Sequence, residues 1–425
     1  MAPFFIFIAA VLFLLAASIS RCFLAAILRW AIPSAGVKKD YSYQPTVSIL
    51  LPCYNEGQTV YETIESISKS NYPNNKFEII AQDDCSIDDS YKWMLKAQQD
   101  FTNIQVRVGR NSINSGKART VCNALQHSLA EIVISIDSDC IFHSDCIQEL
   151  IACFVEPKMG AVGGRVGVRN VNASTATMVQ TFYYYLAFQL IKTPESMTRS
   201  VGCISGCIFA IRRELLLKLE SRIRNRNWFG IQVNDGEDRF LTHQVLLEGY
   251  GTYINTAAQC WTNVPVTLLQ LIKQQIRWRR SGIRDFFLTL KTLPQHVWKL
   301  HPNTVYTLVV PPLASLLSVC TVLMAPFTNA AFWIAPVMFI LYGAGAAIFD
   351  VVIRKHNPEQ RVLNPLRLAT FAVWGLGSIL ITVLALCTFD SSDWGTRSKK
   401  APQPEAKLEP LRLPLARPEF ATSGD

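Results

Sequence analysis

Two aspartates one residue apart, Asp137 and Asp139, directly follow the apolar run 132–136. Carboxylates at this spacing, placed where a strand ends, can hold a hard divalent cation through oxygen atoms. Such a cation usually keeps water ligands and takes further oxygens from a phosphate group. The pattern therefore predicts a metal site, and the alternative interpretation is a solvated turn after the strand.

Polar side chains close two earlier apolar runs in the same way. The segment 77–86, FEIIAQDDCS, ends in Asp83 and Asp84, and the segment 46–56, TVSILLPCYNE, ends in Pro52, Tyr54 and Glu56. Because the carboxyl ends of parallel strands meet at one sheet edge, these side chains are expected to surround one ligand there. The acidic pair 83–84 makes the solvated-turn interpretation of Asp137 and Asp139 less favourable.

The elements that must position these residues alternate between strand and helix. Strands with polar C-terminal ends are expected within 46–56, 77–86 and 131–139, a further strand is expected at 104–110, and helical periodicity covers 57–70 and 114–130. Alternation of this kind predicts an α/β fold with a mostly parallel sheet and helices on both faces. A helix starting near Gly116 and Lys117 offers a cation and backbone N–H groups to a phosphate.

The second half of this region carries further acidic and basic segments. The stretch 200–216 is expected to form a loop, a short strand and a helix, and 234–250 begins with Glu237 and Asp238 and continues as a helix. Those two carboxylates either favour the helix dipole or supply a catalytic base. The basic amphipathic stretch 262–287 suits a helix lying on a membrane surface.

The composition indicates a mixed membrane and soluble chain. Half of the 425 residues are hydrophobic and only 17% are charged. Residues 2–20 form an uncharged run followed by Arg21 and Arg29, which favours a retained anchor with its C-terminal side in the cytosol. Three further apolar blocks lie at 304–326, 328–350 and 366–388. The net charge of +9 is explained by basic residues near a lipid bilayer, so no nucleic-acid partner is expected.

The twelve cysteines do not form a pattern of pairs. They are scattered, no CxxC pair occurs, and several fall in strand or helix patterns where cysteine acts as a small hydrophobic residue. Free thiols in an intracellular domain are therefore expected rather than disulfides.

Four motifs in order resemble those of the family-2 inverting glycosyltransferases, specifically the membrane-embedded processive synthases. They are DD at 83–84, DSD at 137–139, GED at 236–238 and QQIRW at 274–278. The DWGTR segment at 393–397 is similar to the C-terminal motif of hyaluronan synthases, whereas GIRDFFLTL at 282–290 is closer to the rhizobial chitin-oligosaccharide synthase. The resemblance covers about residues 46–400.

The resemblance implies a cytosolic GT-A (Rossmann-like) domain inserted between transmembrane helices, with amphipathic helices at the interface. The implied boundaries are an anchor at 1–32, the GT-A domain at 40–265, interface helices at 266–300, a membrane region at 301–390, and a gating motif with a flexible cytosolic tail at 391–425. The implied location is the plasma membrane. The oligomeric state is left open.

The same resemblance implies a role for each matched residue. The donor would be a UDP-sugar, bound with Mg²⁺ or Mn²⁺, and the acceptor a growing polysaccharide. The metal would be held by Asp139 with help from Asp137, and Asp238 would be the base, with Glu237 beside it. The implied donor-binding residues are Pro52, Tyr54, Glu56, Asp83, Asp84, Lys117, Asp137, Gln274 and Arg277. The implied acceptor-binding residues are Trp278, Ser205, Gly206 and Cys207, and the implied gating residues are Trp394, Thr396 and Arg397.

Two positions depart from the family pattern. Many relatives carry proline where this chain has Cys207, and Cys85 follows the pair 83–84 where glycine is usual. Both departures affect acceptor fit and turn geometry and remove no catalytic group.

The donor sugar is not determined by any residue, because hyaluronan needs UDP-GlcNAc and UDP-GlcA and chitin needs the first alone. Much of the same motif set would also serve transfer to a lipid acceptor. A non-catalytic sensor of nucleotide sugars would be supported by loss of the base or of a metal carboxylate, and this sequence retains both.

The expected membrane topology contains a conflict. Three full crossings after a cytosolic domain would place the tail outside, yet Arg397, Lys399 and Lys400 favour the inside. We therefore expect one block to be an incomplete crossing. The candidates are 304–326, where Pro311 and Pro312 remove two backbone donors, and 366–388, which contains two glycines.

Overall fold

The structure is a computed structural model that describes residues 37–185, 187–188, 192–228, 230–233, 235–324 and 365–390. Backbone contacts divide the chain into two compact units. The first, here called the sheet unit, includes residues 37–166 and 199–262. The second, here called the helical unit, includes the described parts of 167–198 and 263–390.

A large mixed sheet forms the centre of the sheet unit. The strands are β1 Val47–Cys53, β2 Phe77–Asp83, β3 Gln105–Arg110, β4 Ile132–Ile136, β5 Cys140–Phe142, β6 Met159–Val168, β7 Ile208–Arg212, β8 Asn227–Trp228, β9 Ile231–Gln232 and β10 Gly251–Thr262. Eight of them pair in the order β3-β2-β1-β4-β7-β6-β10-β5, and a separate two-stranded sheet pairs β8 with β9.

The first four strands form the predicted parallel arrangement. β1 pairs in parallel with β2 on one side and β4 on the other, and β2 pairs in parallel with β3. All seven residues of β1 and all five of β4 are buried, which explains why these strands are continuous apolar runs rather than alternating ones.

The prediction of a mostly parallel sheet is wrong for the second half. β7 runs antiparallel to β4 and to β6, and β5 runs antiparallel to β10. Strands and helices continue to alternate after β5, but antiparallel neighbours need no crossover helix, so the alternation does not show how these later strands pair. The strands β6 and β10 were not predicted. The antiparallel pairing of β7 with β4 brings the loop before β7 beside the end of β4. There the Asp137 N–H donates to the Cys207 carbonyl at 3.1 Å.

Helices surround the sheet close to the predicted positions. Those of the sheet unit are α1 Thr59–Ser68, α2 Ser90–Asp100, α3 Lys117–Leu125, α4 Cys146–Ile151, α7 Arg213–Arg224 and α8 Glu237–Leu247. α3 packs on β1 and β2, α2 on β3, and α4 on β10. α3 is shorter than the expected 114–130 at both ends. It begins only after the loop 112–116 and ends at Leu125.

The helical unit contains α5 Thr175–Tyr185, α6 Lys192–Met197, α9 Leu268–Thr292, α10 Pro302–Met324 and α11 Pro365–Cys387. A capping box between Thr267 and Gln270 starts α9, as this sequence pattern favours. The far half of α9 holds the end of α11: Arg280 Nε donates to Thr388 Oγ1 at 2.9 Å, and Arg284 donates to the Phe389 carbonyl at 3.3 Å.

Two of the predicted membrane segments coincide with helices, since 304–326 matches α10 and 366–388 matches α11. In the part of the chain that the structure describes, no helix is both long enough and apolar enough for a membrane crossing. The expected anchor at 1–32, the block at 328–350 and the segment 391–425 lie outside the described residues.

Candidate active site

Lys117 lies between two acidic side chains of the sheet unit, Asp137 and Glu237. Its ammonium Nζ is 2.5 Å from Asp137 Oδ1 and 3.2 Å from Glu237 Oε1, and it donates to the Gly206 carbonyl at 3.2 Å. Lys117 begins α3, Asp137 follows β4, and Glu237 begins α8. Three segments far apart in sequence are therefore joined through one cation.

The charges around Lys117 set opposite pKa shifts on the two acids of α8. Burial disfavours the ammonium, but Asp137 and Glu237 outweigh burial and raise the pKa of Lys117 well above its usual value. Burial opposes the ionised form of Glu237 as well, yet the charge of Lys117 keeps the pKa of Glu237 below normal. For Asp238, burial and then the negative charge of Glu237 raise the pKa. Neighbouring carboxylates with separated pKa values are typical of catalytic sites.

Gly206 joins Lys117 to Asp238. Its backbone N–H donates to Asp238 Oδ2 at 3.0 Å while its carbonyl accepts from Lys117. A Cβ at this position would lie 3.0 Å from Lys117 Nζ and 3.4 Å from Asp238 Oδ2. The glycine therefore permits a close approach of the backbone to both groups. The other oxygen of Asp238 accepts from the Arg239 N–H at 2.8 Å.

Asp139 is half-buried beside Asp137. Its Oδ2 accepts from Thr262 Oγ1 at 3.2 Å, and its Oδ1 accepts from Cys140 Sγ at 3.5 Å. Burial, followed by the charge of Asp137, raises the pKa of Asp139. A bound dication would stabilise the ionised form of both carboxylates, and carboxylate oxygen is the ligand that Mg²⁺ and Mn²⁺ prefer. The two residues therefore suit the predicted metal.

Asp84 makes contacts that the sequence did not predict. Its two oxygens accept four hydrogen bonds, from the Asn111 amide, the Ser115 N–H and hydroxyl, and the Gly116 N–H, at 2.8 to 3.0 Å. Gly116 has a φ of 85° and directly precedes α3. In this arrangement Asp84 holds the loop from which Lys117 emerges.

Asn111 is a positioning residue that sequence reasoning missed. Its side chain also accepts from Gln82 at 2.9 Å and from Asn123 at 3.0 Å. These buried amides form one network behind Asp84. Asp83, which is fully buried, instead pairs with Arg110 at 3.0 Å, and burial raises its pKa. The sequence did offer one signal for Asn111, which is a polar residue one position after the end of β3.

The loop after β1 is fixed through two serines of the segment 86–90. Asn55 N–H donates to Ser86 Oγ at 3.0 Å, and the N–H groups of Glu56 and Gly57 both donate to Ser90 Oγ at 2.8 Å. These contacts hold the predicted donor-binding residues Tyr54 and Glu56, both half-buried, at the end of β1, where Pro52 is buried.

Cys85 adopts a left-handed backbone conformation with a φ of 63°. That conformation is unfavourable for residues with a Cβ and natural for glycine. The structure therefore explains why glycine is the expected residue after the acidic pair, and it shows that the turn forms with cysteine in its place.

Cys207 lies against Cys140, and the hydrogen bond between the two thiols, together with burial, raises the pKa of Cys207 well above normal. Ten cysteines of the described residues, Cys140 and Cys207 among them, carry free thiols. Ser205, the remaining member of the predicted acceptor loop, accepts from the Cys207 N–H at 3.4 Å.

Gln274, Arg277 and Trp278 lie on α9 of the helical unit. Among the described residues the buried side-chain oxygen of Gln274 has no hydrogen-bond partner, and Trp278 is 39% exposed. The predicted gating residues Trp394, Thr396 and Arg397 lie outside the described residues.

Comparison with known proteins agrees with this geometry. Residues 48–219 match the model of glycosyl transferase family 2. Hyaluronan synthase of Streptococcus pyogenes is 25% identical over 382 residues, covering 86% of each chain. An N-acetylglucosaminyltransferase of Rhizobium sp. (strain N33) is 28% identical over 391 residues, covering 89% of this chain and 83% of the relative.

A solved structure supports the fold. A mannosyltransferase from Pyrobaculum calidifontis, in complex with GDP-mannose and Mn²⁺, superposes with a TM-score of 0.62 at 19% identity, over 91% of this chain and 99% of that one. At this identity the likeness establishes an architecture of the GT-A type and nothing finer. The chain is therefore a glycosyltransferase with a family-2 domain, and it resembles the processive synthases of that family.

Proposed function

We propose that the protein is a processive inverting β-glycosyltransferase that builds an amino-sugar polysaccharide from UDP-sugars and moves it across the membrane. The observation that carries the proposal is the arrangement around Lys117, whose ammonium pairs with Asp137 and Glu237 and accompanies Asp238, a carboxylate held by the Gly206 N–H. Hyaluronan is our first candidate for the product, and chitin or a chitin oligosaccharide is the second.

Asp238 is proposed as the general base. Inversion is one displacement, in which the acceptor hydroxyl oxygen bonds to the anomeric carbon while the bond from that carbon to the diphosphate breaks. The hydroxyl proton must leave to a nearby group, and a carboxylate with a raised pKa is a better acceptor than an ordinary aspartate. The Gly206 N–H holds Asp238 Oδ2, which leaves the carboxylate with capacity to accept from a sugar hydroxyl.

Lys117 is proposed to face the leaving diphosphate. Asp137, Glu237 and the Gly206 carbonyl fix the position of its ammonium, so its positive charge is in place before charge develops on the diphosphate. Asp139 and Asp137 would hold Mg²⁺ or Mn²⁺, which when bound supplies further stabilisation of that charge. Glu237 keeps Lys117 charged and raises the pKa of Asp238.

Gln274, Arg277 and Trp278 keep the roles that the family resemblance implies for them. Gln274, through its side-chain NH₂ group, and Arg277 are assigned to the donor diphosphate. Trp278 is assigned to the acceptor, because an exposed indole face suits the apolar side of a sugar ring. Trp394, Thr396 and Arg397 keep their proposed gating role.

The names of the relatives support the product class. One is a hyaluronan synthase and the other an N-acetylglucosaminyltransferase, and both names are consistent with an amino-sugar donor. The four apolar blocks of the sequence support a place in the plasma membrane with the sheet unit in the cytosol, where nucleotide sugars are found.

Incorporation of labelled sugars tests the proposal. Purified full-length enzyme is incubated with Mg²⁺ or Mn²⁺ and labelled UDP-GlcNAc or UDP-GlcA, singly and together. Polymer formed only with the pair identifies hyaluronan, and chitinase-sensitive polymer from UDP-GlcNAc alone identifies chitin. Label recovered only on lipid would contradict a polysaccharide acceptor, and no transfer from any UDP-sugar would contradict the donor class.

A further inference from the structure

Two cysteines and an aspartate of the sheet unit converge beside Lys117. Asp137 follows β4, Cys140 begins β5, and Cys207 precedes β7. One carboxylate oxygen and the two sulfur atoms all lie within 4.8 Å of one another. The backbone segments that carry Asp137 and Cys207 are also hydrogen-bonded to each other, since the Asp137 N–H donates to the Cys207 carbonyl at 3.1 Å.

This set of ligand atoms suits a different metal from the one proposed for the donor. Mg²⁺ and Mn²⁺ select oxygen ligands, whereas thiolates select softer ions such as Zn²⁺ and Cd²⁺. Zinc lies about 2.3 Å from sulfur and about 2.0–2.2 Å from carboxylate oxygen in tetrahedral sites. These bond lengths place the ligand atoms of one ion roughly 3.4–3.8 Å apart, so the three groups need to move by about 1 Å or less.

The surroundings favour a cation and give it access. The negative charge of Asp139 is adjacent, since its Oδ1 accepts from Cys140 Sγ at 3.5 Å. Cys140 is buried, but the Asp137 side chain is 29% exposed, so an ion can reach the group from the Asp137 side. A fourth position is left to water, as in zinc sites with three protein ligands. Lys117 opposes binding, because its ammonium now pairs with Asp137.

We propose that Asp137, Cys140 and Cys207 form a binding site for a thiophilic divalent ion of the zinc class, and that the ion inhibits sugar transfer. Binding forms two metal–sulfur bonds and one metal–oxygen bond, and the two thiol protons leave to solvent. The ion takes the Asp137 carboxylate away from Lys117 and from the donor's cation. The inhibitory consequence rests on the proposed function, whereas the binding site does not.

Cobalt provides a direct probe of the two thiolates. Full-length enzyme, kept reduced with a phosphine, is titrated with Co²⁺ while the ultraviolet sulfur-to-cobalt charge-transfer band is recorded. One equivalent should produce the band, and Zn²⁺ should remove it by displacement, since zinc binds more tightly than cobalt at such ligands. Absence of the band in the wild-type protein overturns the proposal.

Single cysteine variants locate the site. Cys140→Ser and Cys207→Ser should each weaken Co²⁺ binding by more than about 10-fold, because even partners outside the ligand shell cost 10- to 100-fold when removed. Cys387→Ser is the matched control, since Cys387 is an exposed free thiol of the helical unit, and it should keep the full band. Cys207 is half-buried, so its variant remains informative if Cys140→Ser does not fold. A band that persists in both variants overturns the assignment.

Activity measurements separate this proposal from the proposed function. With Mg²⁺ in excess, micromolar Zn²⁺ should reduce transfer by the wild-type enzyme, and Cys140→Ser should require at least about 10-fold more Zn²⁺ for the same loss. A cobalt band with transfer insensitive to Zn²⁺ overturns the inhibitory role. A cobalt band in an enzyme that transfers no UDP-sugar leaves the site standing and contradicts the proposed function instead.

Discussion

At the scale of single residues, the two carboxylates of α8 have different environments although they are adjacent. Glu237 pairs with Lys117 at 3.2 Å, whereas Asp238 accepts from two backbone N–H groups. The charge of Lys117 keeps the pKa of Glu237 below normal, whereas burial and the negative charge of Glu237 raise the pKa of Asp238. This difference selects Asp238 over Glu237 as the proposed base.

Replacement of the base tests that selection. We expect Asp238→Asn to lower turnover by about 10²- to 10⁴-fold, because the amide cannot accept a proton. Affinity for UDP, measured by calorimetry, should change little. If UDP affinity falls together with turnover, Asp238 belongs to the donor site and the assignment of the base is wrong.

The pH dependence of transfer tests the influence of Glu237. Asp238 must be ionised to act, so kcat/KM should fall as pH falls through its raised pKa. In Glu237→Gln the neighbouring negative charge is gone, which lowers the pKa of Asp238 and should move this acid limb to lower pH. The control is Glu248→Gln, at the far end of α8. A limb that stays in place, or moves to higher pH, would show that another group controls it.

The turn after β2 gives a prediction about stability. Cys85→Gly should raise the free energy of unfolding by about 0.5–1 kcal/mol, because the relief of left-handed strain outweighs the chain entropy that glycine adds to the unfolded state. Thermal unfolding measures the effect. Asn55, at a φ of 56°, is the control: its side chain accepts from the Ile87 N–H at 3.0 Å, so Asn55→Gly loses a hydrogen bond and should give no gain. Equal effects at both positions would contradict the explanation.

At the scale of elements, the loop before α3 depends on Asp84. In Asp84→Ala four donors lose their acceptor, which should cost about 1–3 kcal/mol and displace Lys117. We expect a lower melting temperature without any ligand, together with weaker UDP binding. Asp100→Ala, on the surface of α2, should change neither. An unchanged melting temperature with lost UDP affinity would return Asp84 to its predicted role as a direct donor contact.

Much of this arrangement could be predicted from the sequence because it depends on local patterns. The four parallel strands are apolar runs that end in polar groups, and parallel pairing requires those ends to meet. β6 and β10 were missed because each combines glycine or polar residues with apolar ones. The engagement of Asp84 with residues 111–116 could not be predicted either, since the sequence does not show which donors meet a buried carboxylate.

At the scale of the whole molecule, the residues with proposed roles fall in two groups, one in each unit. The sheet unit brings Lys117, Asp137, Glu237 and Asp238 together, and α9 of the helical unit carries Gln274, Arg277 and Trp278. The contacts of Arg280 and Arg284 with residues 388–389 tie α9 to the end of α11, which directly precedes the proposed gating segment. Retention of the acceptor between successive transfers is the property that distinguishes the proposed processive synthase from an enzyme that releases its product after each sugar.

A pulse and chase of the product tests processive transfer most directly. Enzyme is given labelled UDP-GlcNAc with UDP-GlcA for a short pulse and then excess unlabelled donors, and the product is sized over time. We predict that long labelled chains appear in the earliest samples and lengthen during the chase, while Asp238→Asn forms none. Labelled products that stay at one or two sugars, or that lengthen evenly over the whole pool of acceptors, would contradict the account.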